Sequence, residues 1–385
     1  MPRRTKKDLT ALDLFAGAGG LALGAHRAGF RTLGVLEVER NCLATLERNS
    51  TEGRRKRWEV IEADLRHYDF SEFEDEVTLL AAGVPCQPFS LGGKHLGHED
   101  ERNMFPVAIK AVRQIRPKAV LFENVKGLLR ESFREFFDYV VLHLELPTVE
   151  QEAGEDWRRH RARLLRARER KSRYKLRYSV TTQLLNAADF GVPQRRERVF
   201  IVGFRSDIGS EWDVPQPTHS AEALEAAKDD GSYWQKHGLP PKGGARSLNG
   251  TLLSFGERWR TVRDALDGLP EPKPKVAHPS IPNHVGNPGA RPYKGHDGSP
   301  LDEPAKTLKA GVHGVPGGEN TLQLPDRSVR YFTGREGARI QTFPHNYEFA
   351  QPDARVQFGS IGRLIGNAVP VELSEFLARR ISQRL

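Results

Sequence analysis

Cysteine is almost missing from this chain. Cys42 and Cys86 are the only two in 385 residues, too few for a disulfide framework or for a zinc site built on several thiolates. No CxxC pair occurs, and nothing in the sequence implies a bound metal; a reducing, cytoplasmic setting suits such a chain. Long apolar runs are missing as well, since none approaches the ~20 residues of a membrane span. The basic opening Met1-Pro2-Arg3-Arg4-Thr5-Lys6-Lys7 is followed by Asp8 and Asp13 rather than by the apolar core of a secretory signal. Acidic residues fall short of basic ones, leaving a net charge of +9 and a pI near 9.5. That balance favours a polyanionic partner, nucleic acid first, although ribosome-associated and membrane-surface proteins share it. With 38% hydrophobic and 28% charged residues the composition is that of a soluble globular protein with a sizeable core. The length suggests one large domain and a smaller one.

Between residues 10 and 205, short β-branched apolar runs alternate with helical patterns. The strand-like runs are Ala11 to Ala16, Thr32 to Glu37, Val60 to Ala63, Val77 to Ala82, Ala119 to Glu123, Tyr178 to Leu185 and Val199 to Phe204. Phe105 to Ile115 and Phe133 to Leu146 carry helical spacing. Such alternation predicts a doubly wound α/β domain around a mostly parallel sheet, with ligands at the carboxyl ends of its strands. Trp157 to Arg177 interrupts it with eleven Lys or Arg residues and one acid, Glu169. The spacing there permits a helix basic on all sides, serving either as a solvated arm or as a contact for a DNA backbone. From about 206 to 325 prolines and glycines crowd the chain, while Trp234, Phe255, Trp259 and Tyr293 argue for a small folded, loop-rich unit. Regular structure resumes after 328. Thr333-Gly334-Arg335-Glu336 has the form of a capping box, and the last helix begins at Pro370 with Leu373, Phe376, Leu377 and Ile381 at helical spacing.

Four groups of residues carry potential chemistry. Gly83-Val84-Pro85-Cys86-Gln87-Pro88-Phe89-Ser90 places a thiol in a proline-flanked loop at a strand end, a position suited to a nucleophile. Asp13-Leu14-Phe15-Ala16-Gly17-Ala18-Gly19-Gly20-Leu21 follows the first strand, where glycines admit a nucleotide-like ligand to the backbone and the helix start offers N–H groups. Ala22 replaces the third glycine of the dinucleotide form. Glu37 closes the second strand, where an acid binds ribose hydroxyls, and Asp64 ends the third, where it can accept from an adenine amino group. Glu123-Asn124-Val125 ends a further strand; in the same sheet as the strand before Cys86, Glu123 would converge on the thiol. In extended chain Gln194, Arg196 and Arg198 share one face, three donors able to hold a phosphate or a base edge.

Taken together, these blocks resemble the DNA (cytosine-5)-methyltransferases of bacterial restriction–modification systems. The matching segments are DLFAGAGGL at 13–21, GVPCQPFS at 83–90, ENV at 123–125, QRRER at 194–198, RYFTGREGARIQTFP at 330–344 and GNAVP at 366–370. They span both ends of the chain and leave 206–327 as a target-recognition domain beside a discontinuous catalytic domain of 8–205 and 328–385. The resemblance implies a Rossmann-like fold that uses S-adenosylmethionine, with Phe15, Ala16, Gly17, Gly19, Gly20 and Leu21 forming the cofactor turn. It places Glu37 and Val38 beside the ribose, Asp64 and Leu65 near the adenine, and Asn367 and Val369 closing the site. Cys86 would attack carbon 6 of a cytosine flipped out of double-stranded DNA, Glu123 would hold or protonate N3, and Arg196 would orient the base, supported by Gln194 and Arg198. Val38 departs from the family, which commonly carries a large aromatic there. A monomer working with a cognate restriction endonuclease in a bacterial or archaeal cytoplasm is implied. Two alternatives stand beside this reading: a carbon-5 methyltransferase of transfer RNA, which would carry a shorter recognition region, and a non-catalytic DNA-binding module. An exocyclic-amine methyltransferase would need an Asp/Asn/Ser-Pro-Pro-aromatic tetrad, and none occurs.

Overall fold

The computed structural model describes residues 8–85, 103–170, 173–241, 256–292, 297–310, 320–349 and 358–385. The chain divides into two units. The first comprises Met1–Leu185, Glu197–Val214 and Ser374–Leu385; the second comprises Asn186–Arg196 and Pro215–Leu373.

Seven strands build the first unit: β1 (Thr10–Leu14), β2 (Arg31–Glu37), β3 (Glu59–Glu62), β4 (Leu79–Gly83), β5 (Ala119–Val125), β6 (Tyr178–Asn186, which ends one residue past the boundary) and β7 (Glu197–Arg205). They lie side by side in the order 3-2-1-4-5-7-6. The pairs among β1 to β5 are parallel, and β7 runs antiparallel to β5. This is the mostly parallel doubly wound sheet that the alternating runs predict. Leu12, Leu14, Leu80, Val120 and Phe122 share one core with helices α3 (Phe105–Ile115) and α4 (Glu131–Glu145), while the alternate residues Ala11, Leu79, Ala81 and Leu121 are equally buried outside that cluster. Both faces are therefore covered, which is why these strands read as continuous apolar runs. Helix α3 presents Phe105, Ala108, Ile109, Val112 and Ile115 at helical spacing, each fully buried; burying a large one contributes about 1.5–3 kcal/mol. Helix α1 (Gly20–Arg27), which precedes α2 (Arg40–Arg48) in the chain, is pressed by residues 374–382 of the last helix, Val371–Ser382. Ser374 Oγ donates to Leu21 O at 3.0 Å, and a Cβ on Gly24 would lie 2.3 Å from that hydroxyl.

Several boundaries move from their expected places. β1 stops at Leu14 rather than Ala16 because Phe15 takes a left-handed φ of 53°. The 157–177 segment is not basic all round: helix α5 (Trp157–Glu169) buries His160, Leu164 and Ala167 on one face.

The second unit is made of short pieces, as its proline content implies. Two-residue strands pair at His219–Ser220 with Glu257–Arg258, and Ser299–Pro300, Thr321–Gln323 and Val329–Tyr331 form a three-stranded sheet. Leu224, Tyr233 and Trp234 make a small core with Trp259 against it; Phe255 and Tyr293 lie outside the described residues. The capping box at Thr333 forms as expected, with Glu336 reaching back to the Thr333 N–H at 2.8 Å. Residues 206–214 group with the first unit, while 186–196 and 328–373 group with the second unit. Its own contacts give the reason. Buried Arg335 donates to the carbonyls of Pro282, Pro344 and Tyr347, and Thr333 bonds His284.

Candidate active site

At the carboxyl edge of the first unit's sheet, the turn after β1 is held in a left-handed path by Phe15, Gly17 (φ 55°) and Gly19 (φ 80°). A Cβ on Gly17 would meet nothing within 4 Å, so the backbone angle demands glycine there, not a shortage of space. Glu37, at the end of β2, clamps this turn. Its Oε2 accepts the Gly17 N–H at 2.8 Å, and its Oε1 accepts the N–H groups of Val38 and Glu39 at 2.8 and 3.0 Å. Val38 itself is 57% exposed beside it. Ala16 is nearly buried and donates to Leu36 O. Leu21 and Leu65 are buried, and Leu65 belongs to the main core. Asp64 lies two residues beyond the end of β3, and Arg66 takes both of its oxygens, at 2.9 and 2.6 Å. Those bonds hold its carboxyl down to about 2.

Asp13, the last acid of β1 before the turn, is its most unusual group. Fully buried, it accepts the Ala22 N–H through Oδ2 at 3.0 Å, and so satisfies a donor at the start of α1. Its Oδ1 has no partner among the described residues. Burial pushes the carboxyl well up against the pull of the Ala22 N–H, and the nearby Glu37 charge pushes the same way. The sequence signal was an acid inside an otherwise apolar strand.

The β4–β5 register sets Gly83 opposite Glu123. The carboxylate therefore sits beside the strand that leads into Cys86, which itself lies outside the described residues together with 87–90. Glu123 is 8% exposed, and Arg198 reaches it from β7 with Nε 3.0 Å from Oε1. Asn124 Nδ2 donates to Val84 O at 3.2 Å and fixes the chain just before Pro85.

Gln194 and Arg196 are each occupied by partners within the second unit. In the second unit Gln194 donates to Gln341 Oε1 at 3.0 Å and accepts the Leu308 N–H at 2.9 Å. Arg196, 1% exposed, donates to Leu308 O and Gly366 O at 3.2 and 2.9 Å. Strand alternation put the three on one side, but Gln194 forms a lone bridge with Ala305 and only Arg198 lies in β7. Gln341, another residue the sequence did not single out, donates to Ile365 O and Ala368 O. Arg196 and Gln341 thus hold the Gly366–Pro370 segment, in which Asn367 is exposed and Val369 buried. A Cβ on Gly366 would lie 2.5 Å from Ala310 N, so that position needs glycine for space.

A doubly wound sheet with a reversed seventh strand, a glycine turn clamped by an acid on the neighbouring strand and a buried carboxylate at the next strand end define the α/β methyltransferase class of fold. The chain belongs to the C-5 cytosine-specific DNA methylase family, which matches residues 9–146 and 168–383. It is 38% identical over 390 residues to the type II methyltransferase M.NgoMIV of Neisseria gonorrhoeae, covering 98% of each chain. With M.Eco47II of Escherichia coli, also a type II methyltransferase, it shares 32% identity over 375 residues, covering 95% of this chain and 76% of that one. Among solved structures, the S. pombe Dnmt2 methyltransferase superposes with a TM-score of 0.57 at 17% identity, over 97% of this chain and 98% of the other. The Entamoeba histolytica methyltransferase EhMeth gives 0.59 at 14%, over 98% and 99%. Both likenesses speak for the fold alone.

Proposed function

We propose that this protein transfers a methyl group from S-adenosylmethionine to carbon 5 of a cytosine flipped out of duplex DNA, as the modification half of a type II restriction–modification pair. The observation that carries the reading is Glu123, buried and paired to Arg198, set opposite Gly83 on the strand that runs into Cys86. The cofactor carries a sulfonium and an ammonium against one carboxylate, and so is a net cation. The turn suits it: Gly17 to Gly20 allow close backbone approach, and Glu37 offers carboxylate oxygens to ribose hydroxyls. Asp64 would accept from the adenine amino group alongside Arg66. When bound, the cofactor supplies an electrophilic methyl group.

Carbon 5 of cytosine is a poor nucleophile. Attack of the Cys86 thiolate forms a sulfur–carbon 6 bond, and the displaced electron pair makes carbon 5 enamine-like. Glu123, steadied by Arg198, holds the proton at N3 as negative charge develops there. After methylation, loss of the carbon-5 proton restores the double bond and expels the thiolate. In this reading Arg196 and Gln194 act by holding the Gly366–Pro370 segment in place, and Asn367 and Val369 belong to that segment. The enzyme works as a monomer in the cytoplasm on chromosomal DNA, with a cognate endonuclease cutting unmethylated sites.

Labelled methyl transfer to duplex DNA should vanish in Cys86→Ala, with cofactor affinity retained. A duplex carrying 5-fluorocytosine should give a denaturant-stable complex with the wild-type protein, because fluorine cannot leave as the proton does. Full activity in Cys86→Ala would overturn the mechanism, and methylation of transfer RNA in preference to duplex DNA would overturn the substrate.

A further inference from the structure

Eleven of the chain's Lys and Arg residues and only one acid lie between Trp157 and Arg177, so the remaining residues are electrically almost balanced despite a net charge of +9. The basic character of this protein is thus a local feature. Family matching passes over 147–167, where most of helix α5 lies. The helix is firmly anchored nonetheless. His160 is fully buried between Val149 O (2.7 Å) and the Tyr139 hydroxyl (3.0 Å), and Trp157 packs on Phe136 and Tyr139 with ring centroids 5.6 Å away. Arg163 and Arg161 are spent on Glu155 and Glu135.

The outward residues are different. Arg166, Arg168, Arg170, Arg173 and Lys175 are exposed, and no carboxylate stands against them among the described residues. Arg166 and Arg170 stand four residues apart as like charges at the end of the helix. The flanking chain is tied to the edge from which the strands start. Glu150 pairs with Arg113 at the end of α3, and the Tyr178 hydroxyl donates to Pro117 O just before β5. The glycine turn, Glu37 and Glu123 occupy the opposite, carboxyl edge of the same sheet.

We propose that Arg166, Arg168, Arg170, Arg173 and Lys175 grip the phosphate backbone of duplex DNA outside the base pairs around the target cytosine. The grip is sequence-independent and keeps the enzyme on long DNA between methylation events. This rests on the DNA-methylation reading, and the test separates the two. In the full-length protein, Arg166, Arg168, Arg170 and Arg173 are changed together to Gln, and in a second variant together to Lys; the buried face of α5 is left intact. Binding to a mixed-sequence 60-base-pair duplex is followed from 50 to 200 mM salt, beside turnover on saturating genomic DNA. Each lost phosphate contact lowers the salt slope by about 0.9. The Gln variant should lose about 3–4 in slope, so its affinity disadvantage shrinks about 100-fold across that fourfold rise in salt. The Lys variant should keep the slope, and both should keep the wild-type turnover. An unchanged slope in the Gln variant overturns the proposal, as does a Gln variant that loses turnover with its slope intact. A drop confined to an RNA duplex of equal length overturns it as well. Absence of DNA methylation by the wild-type protein would instead sink the reading on which it rests.

Discussion

Replacing Glu123 separates its place in the fold from its place in the chemistry. Arg198 Nε lies 3.0 Å from Glu123 Oε1, and the side chains are only 13% and 9% exposed. At an effective dielectric near 20, the attraction at that separation is about 5 kcal/mol before desolvation is counted. Removing one partner of a buried pair strands the other charge. Glu123→Ala should therefore cost about 3 kcal/mol, which for a unit of this size is a fall in Tm of about 6–12 °C. Glu123→Gln keeps an oxygen for Arg198 and gives up only the charge assistance, about 1 kcal/mol. Activity should not follow that order. Both variants lose the group that manages the N3 proton, so both should lose at least ~100-fold in turnover, while Gln stays folded and binds cofactor normally. Thermal unfolding, calorimetric cofactor titration and labelled methyl transfer read the three quantities separately. A Glu123→Gln enzyme with the wild-type rate would remove Glu123 from the reaction. A double-mutant cycle with Arg198→Met that gave no coupling would show that the ion pair contributes nothing.

Asp13 accepts the Ala22 N–H from a fully buried position, so Asp13→Ala should cost about 1–3 kcal/mol while Asp13→Asn, which keeps an acceptor oxygen, should cost less; equal Tm values for the two variants would contradict that role. Gly24→Ala forces a methyl group to within 2.3 Å of Ser374 Oγ and 2.6 Å of Glu375 N. It should cost about 1–3 kcal/mol despite alanine's better helix propensity, with partial recovery in Gly24→Ala/Ser374→Gly; a Tm no lower than wild type would contradict that packing. His143 is buried against His160 and Tyr139, and burial first, with the charges of His160, Arg113 and Arg163 behind it, pulls its pKa down to about 3. Its folded pKa lies below the unfolded value of ~6.5, so its contribution is complete above that pH and is lost as pH falls from there toward 3, at roughly 1.4 kcal/mol per unit. Urea midpoints should thus fall more steeply below pH 6 in wild type than in His143→Leu, and parallel curves would refute the assignment.

Period-2 and period-3.6 patterning was enough to read α3 at its observed ends and all seven sheet strands to within about three residues, because strands covered on both faces are apolar throughout. The Thr333 capping box was equally legible, being a contact between residues three apart. Local patterning erred where a distant segment supplied the partner. α5 looked basic on every side because its buried face holds only His160, Leu164 and Ala167, and His160 becomes a core residue only when Tyr139 and Val149 satisfy its ring.

By itself, then, the sequence determined the class of fold, the glycine turn with its acid twenty residues on, and the family blocks that surround Cys86 and Glu123. Each of these is carried by residue type at short spacing. The tertiary structure alone decided that Arg198 pairs with Glu123 while Gln194 and Arg196 turn to Gln341, Leu308 and Gly366. It also decided that residues 328–373 group with the proline-rich unit and that one oxygen of Asp13 is buried without a partner among the described residues. Those outcomes depend on which remote carbonyl or carboxylate meets a buried donor, and a linear pattern does not encode that pairing.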